Sequence, residues 1–275
     1  MVRALVALLC LQACALAAPR AATQWPRRVR GRIINGTDAS VADFPWMLSM
    51  EAAGQQWCGA SVVSGSWALT AAHCVSAPYL TLRAGSSTWG SGGVVRDVSH
   101  TVIHEHFDYY AMTYDFAVLH VGHYVYRFKL QFLYAAGRYN SSTVSEPFPL
   151  GPNVQPVGLP PDGYEPPAGL PVTATGWGAT EEVWYPDVLQ RVDVQVLDRS
   201  VCQEHLGSIH TVTASMLCAG HEGHGACHGD SGSPLVHNGT QLGTVSWGQP
   251  ACDGPAAVYG NVASVSSWIR NTTGA

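Results

Sequence analysis

The stretch "GACHGDSGSP", residues 225–234, places Ser231 between two glycines, directly after Asp230 and four residues beyond Cys227. Such a serine is either the apex of a tight turn or a nucleophile, and its immediate neighbours do not decide. The elbow pattern G-x-S-x-G fails here, because Ser233 stands where its last glycine belongs. A hydroxyl is a weak nucleophile until an adjacent base takes its proton, and that base needs a third group to orient it. Two other segments offer those groups. "LTAAHC", residues 69–74, ends an apolar run on His73 beside Cys74, and "DFAVLHV", 115–121, puts Asp115 at the head of an apolar strand. A lone carboxylate there is costly without a partner. Taken singly, His73 reads as a satisfied core histidine and Asp115 as a strand-end cap. In the order His73, Asp115, Ser231 they match one of the known chain orders of a catalytic triad.

Around these segments the chain is a succession of short β runs broken by Gly, Ser, Pro and Asn, from "PWMLSM" to "AAVYGNV". Many short strands at close, even spacing predict an all-β barrel or sandwich. Helix is expected only at "DRSVCQEHL", 198–206, and at "VASVSSWIR", 262–270. The Pro-rich stretch 151–171 has the composition of a link between two halves.

Met1–Ala18 is apolar after an early Arg3 and ends on the small-residue site Ala15-Leu16-Ala17, which predicts a secretory signal peptide over 1–17. No similar stretch follows, so a membrane anchor is not expected. Six of the 14 basic residues lie at or before Arg32, and none of the 19 acidic ones does. A chain beginning at Ile33 is therefore strongly acidic, which argues against nucleic-acid or anionic-membrane partners. Removing Cys10 and Cys14 with the signal leaves an even set, Cys58, Cys74, Cys202, Cys218, Cys227 and Cys252. In a secreted chain that implies disulfides, with the pairing left open. Sequons at Asn35, Asn140, Asn238 and Asn271 fit a secreted, extracellular glycoprotein.

The segments "IINGTDASVADFPW", "CGASVVSGSWALTAAHC", "DFAVLHV", "VTATGWG", "CHGDSGSPLV" and "VSWG" together resemble the landmarks of trypsin/chymotrypsin-type serine proteases, over Ile33–Ile269. The resemblance implies two six-stranded antiparallel β-barrels, about 33–158 and 159–275, with the active site in the cleft between them and a short C-terminal helix. It implies a serine endopeptidase in which His73 is base and then acid, Asp115 fixes its tautomer and Ser231 attacks. The backbone N–H groups of Gly229 and Ser231 form the oxyanion hole, and Ser246-Trp247-Gly248 pair with the substrate backbone. Disulfides are implied at Cys58–Cys74, Cys202–Cys218 and Cys227–Cys252. The segment 18–32 becomes an activation propeptide, cut at Arg32–Ile33 by a trypsin-like protease, after which the new α-amino group pairs with Asp230.

By the same resemblance Gly225 lies at the floor of the pocket for the side chain preceding the cut, beside Ala226, with Gly248 and Ala257 as walls. Trypsins carry an aspartate at the floor. Gly225 carries no charge, so large apolar or aromatic residues are expected, with an elastase-like preference for small ones as the alternative. A shifted register in "CDGPAAVY" would bring Asp253 to this pocket, but its place directly after Cys252 sets it at the rim. A protease-like fold kept only for binding is the competing class, and an esterase on the same triad is a third reading. Partners are then protein or peptide substrates, the activating protease and protein protease inhibitors, acting on a monomer. A digestive role is favoured over a cascade role.

Other features read as structural. His221, His224 and His228 in "HEGHGACH" have no helix to align them and are expected on a surface loop near the cleft, and His100, His104 and His106 are likewise expected on the surface and not at a metal. No metal and no cofactor are expected, and the acid-free segment "AGSSTWGSGGVV" offers calcium no carboxylates. The stretch 122–144 interrupts an otherwise continuous pattern, since joining Val121 to Ser145 restores an ordinary flow. It reads as a retained intron or gene-model error, with a genuine surface loop as the alternative.

Overall fold

The computed structural model describes residues 35–126, 141–180 and 185–275. The expected signal peptide, propeptide, Arg32, Ile33 and Asn140 lie outside them.

Strand β1 (Thr37–Asp38) precedes a first set of strands: β2 (Met47–Ala52), β3 (Gln55–Ser64), β4 (Trp67–Thr70), β5 (Leu80–Ala84), β6 (Val94–Ile103) and β7 (Ala117–Tyr126). These six pair antiparallel in the order β4-β3-β2-β5-β6-β7, and β4 closes on β7 to make a barrel. Strand β8 (Ser141–Ser145) follows, then β9 (Pro171–Gly176), β10 (Gln190–Leu197) and helix α1 (Arg199–Leu206). After them come β11 (Met216–Gly220), β12 (Pro234–His237), β13 (Thr240–Gly248), β14 (Ala257–Asn261) and helix α2 (Ser266–Thr273). The order β10-β11-β14-β13-β12-β9 closes through β9–β10 into a second six-stranded barrel.

Side-chain alternation builds both barrels. In "QRVDVQVL", β10 buries Gln190, Val192, Val194 and Val196 and turns Asp193 and Gln195 to solvent, the period of two that one buried face requires. Leu48, Met50, Leu82 and Leu119 fill the first barrel; Val172, Val194, Leu235 and Tyr259 fill the second. The chain ends cross over. Strand β1 pairs with β10, while Val265 and Ile269 pack on Phe116 and Val118 of the first barrel. The barrels are thus fastened together at both ends of the chain, which fixes the cleft between them. Helix α1 falls where the sequence places it, while α2 begins four residues later than expected, after a 3-10 turn at Val262–Ser264, and runs on to Thr273.

Strand β7 continues past the barrel. Its pairing with β6 ends at Val121, and from Gly122 it pairs only with β8, in the register Gly122↔Ser145 to Tyr126↔Ser141. The stretch that looked inserted therefore begins and ends as a two-stranded ribbon outside the barrel.

Candidate active site

His73 sits in a short 3-10 turn, Ala72–Ser76, immediately after the pairing segment of β4. The Cys58–Cys74 disulfide ties that turn to β3, and the Trp57 indole N–H donates to the Cys74 carbonyl at 2.8 Å. Asp115 lies just before β7 and is 1 % exposed. Its carboxylate accepts three hydrogen bonds. The His73 backbone N–H reaches Oδ1 at 3.0 Å, and the His73 ring Nδ1 lies 2.7 Å from Oδ2. The third comes from the Ser246 hydroxyl to Oδ2, at 2.6 Å. Two atoms of one residue therefore hold the carboxylate, and the imidazole cannot turn without breaking a charge-assisted bond.

Ser231 arrives on the loop between Cys227 and β12, stapled by Cys227–Cys252. Its carbonyl accepts the Gly59 N–H at 2.8 Å, next to the cysteine bonded to the neighbour of His73. That bond joins the serine loop of the second barrel to the first. The glycines are required by geometry. Gly232 has φ +80°, and a Cβ there would come within 2.2 Å of the Thr70 hydroxyl. Gly229 has φ +91°, with the Tyr185 ring 2.9 Å from where a Cβ would stand. A base fixed by a buried carboxylate and a serine on a glycine-flanked loop are the groups that nucleophilic acyl transfer requires.

Asp230 points the other way, into the protein. It is 1 % exposed and accepts the Gly178 N–H at 2.8 Å and the Cys227 N–H at 2.9 Å. Burial outweighs those two bonds and pushes its carboxyl up to about 7. Tyr259 beneath it is also fully buried, and burial together with the Asp230 charge raises its phenol.

A cavity of about 250 Å³ opens beside Ser231. All of the sequence-predicted pocket residues border it: Gly225, Ala226, Ser246, Trp247, Gly248 and Ala257. Gly248 faces Ala257 across the β13–β14 ladder, and a Cβ on it would lie 3.8 Å from the Ala257 Cβ. Gly225 has no atom within 4 Å of the place a Cβ would take. Past Thr244, β13 no longer pairs with β12, so Ser246–Gly248 keep one edge without a strand partner among the described residues. Asp253 is exposed and is not part of the wall.

Several outcomes were hidden from the sequence. Ser246 grips Asp115 in addition to bordering the pocket, a role that no spacing revealed. His224 and His228 border the cavity too, His228 with its Nε2 2.9 Å from the Pro250 carbonyl. They thus lie on a surface loop near the cleft, as the sequence suggests, and part of that loop forms the wall. For His104 the surface reading needs correction. It is 6 % exposed, stacked on Tyr114 at 4.9 Å and packed against Trp268, and burial lowers its pKa. Two groups bring a histidine and two sulfurs together, Cys58–His73–Cys74 and Cys227–His228–Cys252. Both spend their sulfurs in a disulfide, which leaves no thiolate for a metal. The three disulfides match the pairing that the resemblance implied. In the acid-free segment after β5, Arg83 pairs with Glu51 at 2.7 Å and donates to the Gly92 carbonyl at 2.7 Å, so a guanidinium organises that loop. Among the described sequons, Asn35, Asn238 and Asn271 are exposed.

A family model described as "Trypsin" matches residues 33–269. "Trypsin" from Phaedon cochleariae is 33% identical over 251 residues, covering 88% of each chain. "Hypodermin-B" from Hypoderma lineatum is 34% identical over 271 residues and 96% of each chain, and "Trypsin alpha" from Drosophila melanogaster is 34% identical over 88% of each. Among solved structures, neuropsin, described as a serine protease expressed in the limbic system of mouse brain, superposes with a TM-score of 0.73 at 24% identity. That match covers 86% of this chain and 98% of the other, and it supports the fold alone.

Proposed function

The chain belongs to the trypsin family and is a serine endopeptidase acting on protein substrates; from that premise we propose that it cuts after large apolar or aromatic residues, through His73, Asp115 and Ser231. In this reading His73 takes the Ser231 hydroxyl proton as Oγ bonds to the scissile carbonyl carbon. The N–H groups of Gly229 and Ser231 hold the resulting oxyanion. The imidazolium then gives its proton to the leaving amine, and water repeats the sequence to free the acid. The substrate backbone lies along the unpaired edge of Ser246–Gly248 as an added strand.

One observation carries the specificity: among the described residues no carboxylate borders the pocket, and the ionisable side chains there are those of His224 and His228. A Lys or Arg side chain entering there is desolvated with no counter-charge. An apolar one gains about 25 cal/mol for each Å² removed from water, so Phe is favoured over Ala by about 2 kcal/mol, roughly thirtyfold. The measurement is kcat/KM on matched peptides that vary only the residue before the cut. Phe, Tyr, Leu and Met should lead, and a Lys or Arg peptide that beats Phe overturns the reading.

We further propose that the protein is secreted after loss of residues 1–17 and stays inactive until a trypsin-like enzyme cuts Arg32–Ile33. The buried Asp230 supports this. It has two backbone donors and a raised pKa, so a cation delivered to it is strongly stabilised. The Ile33 α-amino group supplies that cation. The domain from 33 onward then acts as a monomer subject to protein inhibitors.

A further inference from the structure

The segment His221-Glu222-Gly223-His224 forms a tight turn, closed by the His224 N–H donating to the His221 carbonyl at 2.9 Å. Gly223 takes φ +69°, as a third turn residue of this kind does. In such a turn the first and fourth residues stand opposite one another as a cross-strand pair, with both side chains on one face. The turn supplies the alignment that the absence of a helix seemed to deny. The two Nδ1 atoms are 3.4 Å apart, and the Glu222 carbonyl oxygen lies 3.3 Å from the first and 2.9 Å from the second.

Three donor atoms thus make a nearly equilateral triangle on the protein surface. Imidazole nitrogens and oxygens bind zinc at about 2.0–2.1 Å in a tetrahedron, which puts neighbouring donors about 3.3 Å apart. We propose that the His221 Nδ1, the His224 Nδ1 and the Glu222 carbonyl are three ligands of a zinc site whose fourth position is open to water. Two imidazoles select a borderline transition ion over calcium or magnesium, which seek oxygen cages. His228 is not a ligand, because its Nε2 is engaged with the Pro250 carbonyl on the far side of the pocket mouth.

The turn is wired to the rest of the site. His224 precedes Gly225 and borders the pocket, and the Asn35 side chain donates to the Gly223 carbonyl at 3.0 Å. Asn35 stands two residues beyond the Arg32–Ile33 bond. A zinc ion here adds positive charge at the pocket rim and stiffens the turn that leads to the pocket floor. It therefore disfavours a basic side chain more than an aromatic one, a consequence that rests on the pocket assignment above. Binding itself does not depend on that assignment.

The test is calorimetric titration of the full chain with zinc chloride at pH 7.5, with the same titrations using calcium and magnesium. Zinc should saturate at one ion per chain and the other two should not bind. His221→Ala and His224→Ala should each weaken zinc at least tenfold, as should His224→Gln, while His228→Ala leaves it unchanged. Melting curves without metal check that each variant is folded. Absence of saturable zinc binding, binding that survives both turn variants, or equal loss in His228→Ala overturns the proposal. Peptidase assays with and without zinc read the coupling separately, so a failure there leaves the binding result standing.

Discussion

Asp115 and Asp230 are the two carboxylates of this site, each 1 % exposed, and they are satisfied in different ways. Asp115 accepts a backbone N–H, an imidazole and a hydroxyl, drawn from both barrels. Asp230 accepts two backbone N–H groups, and burial still pushes its carboxyl up to about 7. Among the described residues, one carboxylate is complete and the other lacks a cation. That difference separates chemistry from control. In the proposed mechanism the base and its orienting group are already joined in the folded chain, while the loop proposed to bear the oxyanion N–H groups holds a buried carboxylate with no cation beside it among the described residues. A buried carboxylate in that condition favours any event that brings a positive charge to it.

The largest effect expected from breaking this comparison is at Asp115. Asp115→Asn keeps the shape but lets Nδ1 lose its acceptor, so the imidazole settles in the wrong tautomer. The expected fall in kcat is about 10⁴-fold, a figure taken from the same substitution in the best-studied triad and not deduced from these distances. Single-turnover kinetics check it. A loss below tenfold would mean that Asp115 is not the group orienting His73.

Asp230 comes next. In the proposed activated enzyme Asp230→Asn removes one partner of a buried ion pair, worth about 3–5 kcal/mol, so activity should fall by roughly 10²–10⁴. In the uncleaved chain, held by Arg32→Gln, the sign is different. The folded pKa near 7 exceeds the ordinary value of 3.8, so the folded state holds its proton more tightly than the unfolded one. The stability this contributes is fully present below about pH 4 and is lost as pH rises toward 7, on the order of 4 kcal/mol. Urea unfolding across that range should show the decline, and Asp230→Asn should flatten it. An equally steep decline in the Asn variant would mean that another group titrates.

How much of this was legible in the sequence follows from how local each signal is. His73, Asp115 and Ser231 stand in short flanking patterns, and strands such as "QRVDVQVL" announce their buried face by alternation. Barrel closure is not local: β4–β7 and β9–β10 join segments whose registers only the packed core selects. The crossing of β1 to β10 was hidden for the same reason. The pairing of the histidines in "HEGH" was not legible because it runs across a turn, a period that neither helix nor strand templates test. The reason Gly232 must be glycine lies in Thr70, which reaches it from the other barrel. The described ends of the stretch 122–144 interrupt the pattern because Gly122–Tyr126 pair only with Ser141–Ser145, outside the barrel.

The smallest expected effect is at Ser246, and it sharpens the comparison most. If Asp115 is over-satisfied, removing one of its three donors should cost little; if every donor matters, the cost approaches that of Asp115→Asn. Ser246→Ala deletes the 2.6 Å bond to Oδ2 and leaves both bonds from His73 in place. A hydrogen bond to a charged group contributes about 1.5–3 kcal/mol, but the two remaining donors keep the carboxylate from being orphaned, so the low end applies. That corresponds to a drop in kcat of about tenfold, with KM for a short peptide unchanged because the backbone edge of Ser246–Gly248 is intact. In the proposed mechanism Ser246 acts through Asp115 as a positioning residue, so the loss should appear in kcat and not in KM. Ser246→Thr keeps the hydroxyl and should recover most of the rate. A raised KM with kcat unchanged would instead mean that Ser246 serves the substrate strand alone, and that His73 by itself holds Asp115 in place.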